Sequence, residues 1–206
     1  MKLKVEPPPE PEVGALEGEL DATGRRFAVV VSRFNEFITE RLLRSACEGL
    51  LRTGMTRKDI AVVHVPGSFE IPLAARTLAL TGKYDAIICL GCLLRGDTAH
   101  YDVIVNEVTR GIGQSAQETG VPHAFGVLTC DTLEQAIDRA GLKMGNKGFE
   151  AALAAVEMAS LNAAISRQAL RHSAQGSLNA AASKKQITRS ARNDKPKKTS
   201  KTTRSK

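Results

Sequence analysis

Four short apolar segments, separated by longer amphipathic ones, constrain the fold of this 206-residue chain most strongly. The apolar segments are FAVVVS (27–32), IAVVHV (60–65), AIICLG (86–91) and AFGVLT (124–129). Helical patterns follow them at about 35–53, 69–80, 99–119 and 132–140, and an Ala-rich helix is predicted over about 146–165. Strands that alternate with helices form parallel βαβ units, and continuously apolar strands indicate a sheet covered on both faces. We therefore predict an α/β protein, a flavodoxin-like three-layer α/β/α sandwich with a four-stranded parallel sheet.

Charge and composition divide the chain into a folded body and two tails. Residues 167–206 carry twelve Lys or Arg and a single acid, Asp194, a net charge of +11. The whole chain has a net charge of +7, so residues 1–166 hold −4. We predict a flexible Pro- and Glu-rich lead-in over 1–20, one domain over 21–166, and a disordered basic tail over 167–206, which lacks aromatic residues. Such a tail would contact polyanions.

Export, membrane and metal signals are not evident in the sequence. No unbroken apolar run reaches the roughly 18 residues that indicate a membrane span, and MKLKVEPPPEPEVG at the N-terminus has no apolar core of a secretory signal. We expect a cytoplasmic protein without membrane contacts, whose cysteines are free thiols. The pair Cys89-x-x-Cys92 invites a redox or zinc interpretation, but Cys89 lies in an apolar strand and a structural zinc needs about four ligands. We predict buried thiols and no metal.

Unusual residues follow three of the strands, at the places where ligands of open parallel sheets bind. SRFN (32–35), PGSFE (66–70) and GCLLRGDTAH (91–100) are expected to share one rim. Phe34 and Phe69 are loop aromatics in a chain with only 4% aromatic residues, and together they indicate a platform for a planar ring. Anchoring of a loop to the core would explain either one alone. Glu70 beside Ser68 offers hydrogen bonds for a polyol or ring amide, or is an ordinary acid at a helix start.

The third loop is the most informative because it contains two glycines and opens a helix. Free backbone N–H groups in such a turn bind phosphate, and the helix dipole assists them. The spacing resembles a P-loop, but Asp97 replaces the lysine and would repel the terminal phosphates of a nucleotide. This favours a single phosphate, with a glycine-rich turn that binds nothing as the alternative. His100, in the next helical turn, is suited to proton transfer near neutral pH, or is a surface histidine.

Taken together, the motifs resemble the lumazine synthase family. They are VSRFN (31–35), VPGSFEIP (65–72), LGCLLRGDTAHYDVI (90–104), FGVLTCDTLEQAIDRAG (125–141) and GNKGFEAALAAVEMASL (145–161), in the family's order and spacing. The resemblance covers roughly residues 21–165, and both tails lie outside it. The chain departs from the family in the basic extension and at His123, where an apolar residue is usual. We expect His123 to be more exposed or paired with a polar neighbour.

The resemblance implies a reaction. It implies a transferase that condenses 5-amino-6-(ribitylamino)uracil with 3,4-dihydroxy-2-butanone 4-phosphate. The products are 6,7-dimethyl-8-ribityllumazine, phosphate and water, in the penultimate step of riboflavin biosynthesis. No step requires a metal or another cofactor, so orientation and one proton shuttle would provide catalysis.

It also implies a role for each matching residue. The groups that would stack on or hydrogen-bond to the pyrimidine and its ribityl chain are Phe34, Ser68, Phe69, Glu70 and the backbone of Cys92, Leu93 and Leu94. The groups that would bind the phosphate are Asp97, Thr98 and Arg139, with Lys147 as a weaker candidate. His100 would move protons, and Phe125 would close over the aromatic substrate.

Two of these residues are placed awkwardly for a site within one subunit. Phe125 lies at the start of the fourth predicted strand, as its second residue, about 13 Å from that strand's carboxyl end at roughly 3.3 Å per residue. Arg139 ends the following helix. The resemblance implies a homo-oligomeric ring in which each site takes Phe125 and Arg139 from a neighbour. It allows a pentamer or an icosahedral 60-mer of pentamers. The uninterrupted connection over 143–148 favours the shell.

Two other functions remain as alternatives. The first is an archaeal-type riboflavin synthase on the same scaffold, which dismutates lumazine. Its substrate carries no phosphate, so the Gly96-Asp97-Thr98 turn and Arg139 would have no use. The second is a nucleic-acid-binding or scaffold protein that acts through the basic tail. That function would leave the rim motifs unexplained.

Overall fold

The structure, a computed structural model, describes residues 15–143 and 145–193, with side chains up to residue 171. Within these described ranges, four strands and five α-helices follow one another, with a helix after each strand and a fifth helix at the end. They are β1 (Phe27–Ser32), α1 (Glu36–Arg52), β2 (Ile60–Val65), α2 (Ile71–Leu80), β3 (Ala86–Leu94), α3 (His100–Thr119), β4 (His123–Cys130), α4 (Leu133–Arg139) and α5 (Lys147–Asn193). Single 3-10 turns precede β2 and α2, at Arg57–Asp59 and Ser68–Glu70.

The four strands form one parallel sheet in the order β2-β1-β3-β4. This order is that of a flavodoxin-like sheet, and it brings the carboxyl ends of β1, β2 and β3 to one rim. In the register, Ser32 pairs with Val65 and Val31 pairs with Leu90. The loops after β1 and β2 therefore start at the same height, while β3 continues three residues further, to Leu94.

Successive side chains of the central strands point to opposite faces of the sheet, and this produces two apolar cores. Phe27, Val29 and Val31 of β1 pack with buried residues of α1, α4 and α5 on one face of the sheet. Ala28 and Val30 pack with α2 and α3 on the other face. The predicted three-layer α/β/α sandwich is confirmed, and burial on both faces accounts for the continuous apolar strands.

Helix ends follow the signals in the sequence. Gly120 ends α3 in the left-handed conformation, with φ 69°, which glycine adopts without steric cost. At the start of α4, the Thr132 hydroxyl accepts a hydrogen bond from the Gln135 backbone at 3.3 Å. The predicted positions of β1 and β2 are confirmed to the residue. β3 is three residues longer than predicted, because Leu93 and Leu94 pair with Thr129 and Cys130 of β4.

Close packing joins α5 to α1. A Cβ atom at Gly148 would lie 2.1 Å from the carbonyl oxygen of Leu42, so only glycine allows this approach. Residues Lys147–Arg171 are long and apolar enough to cross a membrane, although the sequence there contains no unbroken apolar run of about 18 residues. However, Ala151, Ala155 and Val156 of this stretch pack in the core beside the sheet. This packing accounts for the helix's apolar composition.

The helix α5 differs most from prediction, since it continues to Asn193 instead of ending near Ile165. The predicted disorder is therefore wrong for 167–193, and the rest of the predicted tail, 194–206, lies outside the described residues. The prediction considered only apolar burial, whereas alanine, glutamine, lysine and arginine favour helix through local propensity. The chain divides into two compact units, and the boundary lies between Ala164 and Ile165. Residues 15–20 belong to no helix or strand, while residues 1–14 of the predicted lead-in are not described.

Candidate active site

The loops after β1, β2 and β3 meet around a pocket of about 550 Å³ at the rim of the sheet. This volume suits a small organic molecule. The structure brings eight of the predicted site residues into its lining: Phe34, Ser68, Phe69, Cys92, Leu93, Leu94, Thr98 and His100. Phe34 and Phe69 are 67% and 57% exposed, so both rings remain available to a ligand.

Asn35 joins the first loop to strand β3, through a contact that the sequence did not predict. Its backbone is left-handed, with φ 62°, and its side-chain amide donates a 2.8 Å hydrogen bond to the carbonyl of Cys92. Its own carbonyl accepts from Ile38 and Thr39 as α1 begins. Asparagine adopts this conformation more readily than most residues and is therefore a recognisable signal between a strand and a helix. Left-handed residues of this kind are often found at functional sites.

The second loop approaches β3 closely at Gly91. A Cβ atom there would lie 2.7 Å from the Ser68 hydroxyl oxygen, so glycine leaves room for the buried Ser68. Glu70 does not belong to the pocket lining. Its carboxylate accepts a 2.9 Å hydrogen bond from the backbone of Gly67, and this contact stabilises the turn that presents Ser68 and Phe69.

The third loop presents a series of unpaired backbone donors. Within the described parts of the chain, no protein acceptor contacts the N–H groups of Gly96, Asp97 and Thr98. The first hydrogen bond of α3 runs from Val103 to the carbonyl of Ala99. Free N–H groups at the start of a 20-residue helix favour an anion through hydrogen bonds and the helix dipole. Gly96, Thr98 and His100 line the pocket, whereas the exposed Asp97 does not.

Arg95 connects this turn to the neighbouring strand and helix. Its Nε donates to Asp131 at 2.8 Å, and its Nη1 lies 3.1 Å from both carboxylate oxygens of Asp102. The guanidinium carbon stands 4.2 Å from the centre of the Tyr101 ring. Hydrogen bonds from Arg95 to Asp131 and then Asp102 raise the pKa of Arg95. The sequence offered no signal for this network, because Asp131 is 36 residues away.

Tyr101 and Ile104 also line the pocket and were missed in the sequence. They lie three residues apart on α3, and such residues share one face of a helix. Burial is the main cause that raises the pKa of Tyr101. These side chains place a phenol and an apolar surface beside His100.

Phe125 and Arg139 lie in a different pocket, of about 420 Å³, which Lys147 also lines. Phe125 pairs with Cys89 and is the third residue of β4, one position further along than predicted, because β4 begins at His123. The predicted separation from Phe34 is confirmed, since the two residues line different pockets. The described lining of the Phe34 pocket contains no lysine or arginine, whereas the Phe125 pocket contains both.

Three buried cysteines and His123 have structural positions within the fold. Cys89, Cys92 and Cys130 are buried free thiols, as predicted, and burial raises the pKa of Cys89 and Cys92 to about 12. His123 lies 2.9 Å from the buried Ser115 hydroxyl and 2.8 Å from the carbonyl of Val121. The expectation of a polar partner for His123 is therefore confirmed. Among the described residues, no group of three or more His, Cys, Asp or Glu is placed to hold a metal ion.

The sequence matches one family model and is similar to a curated protein. The family model for 6,7-dimethyl-8-ribityllumazine synthase matches residues 24–163. The curated 6,7-dimethyl-8-ribityllumazine synthase of Desulfotalea psychrophila is 57% identical over 146 residues, which cover 71% of this chain and 94% of that protein. Both pockets lie within the matched region.

Proposed function

The chain belongs to the 6,7-dimethyl-8-ribityllumazine synthase family, and from this premise we propose the reaction that it catalyses. As a member of that family, it is a transferase of riboflavin biosynthesis. We propose that its substrates are 5-amino-6-(ribitylamino)uracil and 3,4-dihydroxy-2-butanone 4-phosphate. The products are 6,7-dimethyl-8-ribityllumazine, phosphate and water, in the penultimate step of the pathway.

The observation that carries this proposal is the Phe34 pocket, which combines an aromatic surface with free backbone donors. The exposed rings of Phe34 and Phe69 suit stacking on a pyrimidine. Ser68 and the backbone of Cys92, Leu93 and Leu94 lie where they could hydrogen-bond the ring edge and the ribityl chain. Glu70, which orders the second loop, is proposed to reach the ribityl hydroxyls from outside the lining.

Phosphate is proposed to bind at the turn that opens α3. The N–H groups of Gly96, Asp97 and Thr98 are available, and the Thr98 hydroxyl adds a further donor. Asp97 would act through its backbone, because its carboxylate would repel the phosphate. This end of the pocket lacks a cation among its described residues, so Arg139, with Lys147 as a weaker candidate, is proposed to supply the positive charge from a second subunit.

The chemistry requires oriented reactants and transferred protons. The 5-amino nitrogen attacks the ketone, and loss of water gives an imine. A proton leaves the adjacent carbon, the C–O bond to phosphate breaks, and phosphate departs with that electron pair. The elimination leaves an enol, which loses its hydroxyl proton and gains a proton at the terminal carbon, so that a carbonyl and a methyl group form. The ribityl-bearing nitrogen then attacks this carbonyl, and a second water is lost as the ring closes. His100, exposed beside Thr98, is proposed to accept and return these protons.

A complete site is proposed to form between neighbouring subunits of a homo-oligomeric ring. The two separate pockets support this arrangement, because Phe125 and Arg139 would meet the Phe34 pocket of the next copy. Head-to-tail contacts of this kind close into rings, here a pentamer or an icosahedral 60-mer of pentamers. The mass of the assembled particle distinguishes the two.

Steady-state turnover of both substrates tests the proposed reaction. We expect one phosphate released per lumazine formed, and the same rate per site for the full chain and for one that ends at Arg167. Failure of the full-length assembled protein to form lumazine would overturn the proposed reaction. Loss of turnover only on shortening, with assembly unchanged, would instead show that the segment after Arg167 is needed for catalysis.

Two further proposals concern the surroundings of the enzyme. We propose a cytoplasmic location, and contact between polyanions and residues 167–206, whose net charge is +11. Contact through lysine and arginine weakens steeply with added salt. Retention of the full chain on heparin at low salt, and its loss in the chain that ends at Arg167, would support the second proposal.

A further inference from the structure

The Arg95 network spans three segments that surround the proposed phosphate turn. Arg95 itself follows the last residue of β3, and its backbone N–H donates to the carbonyl of Cys130 at 3.0 Å. Asp131 follows the last residue of β4, and Asp102 lies in the first turn of α3. One guanidinium therefore joins the ends of two strands to the start of the helix that carries His100.

The turn that begins at Arg95 has few other restraints. The N–H groups of Gly96, Asp97 and Thr98 have no protein acceptor among the described residues, and a Cβ atom at Gly96 would meet nothing within 4 Å. These three N–H groups can point at one phosphate only if contacts from neighbouring segments hold the turn in place. The two carboxylates hold Arg95 on one side of the turn, while its backbone continues the pairing of β3 with β4.

We infer that Arg95 is a positioning residue, which acts through Asp131 and Asp102 to hold the Gly96–Thr98 turn and the first turn of α3 in the geometry that binds phosphate. This inference rests on the proposed function. Direct phosphate binding by Arg95 is a poorer explanation, because its guanidinium already donates to two carboxylates. The three side chains together carry a net charge of −1, which would not attract an anion.

Arg95→Gln is the first test, because it keeps a polar side chain but cannot hold both acids. We expect the Michaelis constant for the phosphorylated ketone to rise about tenfold, while that for the pyrimidine changes less than about twofold. Arg95→Lys should recover part of the loss, since an ammonium group reaches one acid but lacks the planar fork of a guanidinium. Arg110→Gln is the matched control, because it breaks an exposed ion pair between Arg110 and Glu107, which both lie on α3. We expect it to leave both constants unchanged.

The triple variant Arg95→Gln/Asp102→Asn/Asp131→Asn separates positioning from simple charge effects. It removes the network and also the two negative charges beside the turn. A Michaelis constant for the phosphorylated ketone that stays raised in this variant supports positioning. A return to the wild-type value would mean that Arg95 only neutralises the acids, and would overturn the inference.

Inorganic phosphate provides a readout that does not depend on turnover. We expect Arg95→Gln to weaken phosphate binding about tenfold by calorimetry, at unchanged assembly mass. An equal rise in both Michaelis constants, or unchanged phosphate binding, would show a general structural role and reject the inference. If the wild-type protein itself formed no lumazine but bound phosphate in an Arg95-dependent way, the proposed reaction would fail while the positioning role remained.

Discussion

His100 is the side chain on which proton transfer in the proposed reaction depends. It is exposed in the first turn of α3 and lines the pocket with Thr98 and Tyr101. We expect His100→Ala to lower kcat about 10²-fold, in the range of general acid–base catalysis, without abolishing turnover. The amine is already a nucleophile, and orientation of the two substrates supplies much of the rate. Single-turnover measurement of lumazine formation checks this value.

His100→Asn is a suitable companion because it retains hydrogen bonding without a titrating group. Both variants should keep the assembly mass of the wild-type protein, since the exposed imidazole contributes little to packing. Unchanged single-turnover rates in both variants would return His100 to the role of a surface histidine.

His123 should make stability depend on pH. Burial lowers its pKa below the ordinary value of about 6.5, although the carbonyls of Val121 and Pro122 oppose this shift. The unfolded chain therefore binds the proton more readily. The stabilising contribution is complete above about pH 6.5 and is lost as the pH falls through the folded-state pKa. Protonation would also remove the acceptor at Nε2 that the Ser115 hydroxyl uses.

Denaturant unfolding at several values between about pH 5 and pH 7 checks this prediction. His123→Gln should reduce the loss of unfolding free energy toward acid, because an amide does not titrate in this range. The control is His64→Gln, in the exposed part of β2. Identical pH profiles for wild type and His123→Gln would contradict the assignment.

At the level of residues, local motifs were easier to predict than contacts between distant segments. Phe34, Ser68 and His100 follow strands in sequence, and parallel topology is enough to bring them to one rim. Asn35 and Arg95 act through partners 57 and 36 residues away, at Cys92 and Asp131. No periodicity or spacing reports such a hydrogen bond, so their roles became evident only in the structure.

At the level of elements, apolar periodicity predicted the sheet well, but it did not predict where every strand and helix begins or ends. β3 extends through Leu94 by pairing with β4. The sequence did not predict this extension, because the last two residues are only half-buried and their pairing is a tertiary feature. β4 begins one residue early at His123, a polar residue whose place in the strand depends on Ser115 of α3. The end of α5 was underestimated for the opposite reason, because local helix propensity extends beyond the buried face.

The contact between α1 and α5 yields a prediction at this scale. Gly148→Ala would place a methyl group 2.1 Å from the Leu42 carbonyl oxygen, so the helices must separate. We expect a loss of roughly 1–3 kcal/mol in the free energy of unfolding, as for other overpacked interiors. Gly113→Ala is the matched control, since its Cβ would meet nothing within 4 Å and alanine is the better helix former.

Thermal and denaturant unfolding of the two variants measure the difference. The control should gain up to about 1 kcal/mol, which shows that the loss at Gly148 arises from packing and not from the substitution of glycine as such. Equal stability of Gly148→Ala and wild type would mean that α1 and α5 are less closely packed than the structure indicates.

At the level of the whole molecule, one chain carries both parts of the proposed site, but not on the same pocket. Phe34 and His100 line the pocket at the rim, while Phe125, Arg139 and Lys147 line the pocket beside β4. The cations and the free N–H groups that would share one phosphate are therefore separated within a subunit. An oligomer that joins them would bring the rim pocket of one copy against the β4 pocket of the next, and head-to-tail contacts of this kind can close into a ring.

Mixed assemblies test whether the site is shared between subunits. One inactive variant, Phe34→Ala/His100→Ala, retains only the pocket beside β4, and the other, Phe125→Ala/Arg139→Ala, retains only the rim pocket. The two are unfolded together and allowed to reassemble. With random mixing, roughly one quarter of the interfaces would pair an intact rim with an intact neighbour, and turnover should recover toward that fraction. Each variant refolded alone is the control and should stay inactive. If each site were built within one chain, no mixture could restore it, so absence of turnover in correctly assembled mixed rings would refute the shared site.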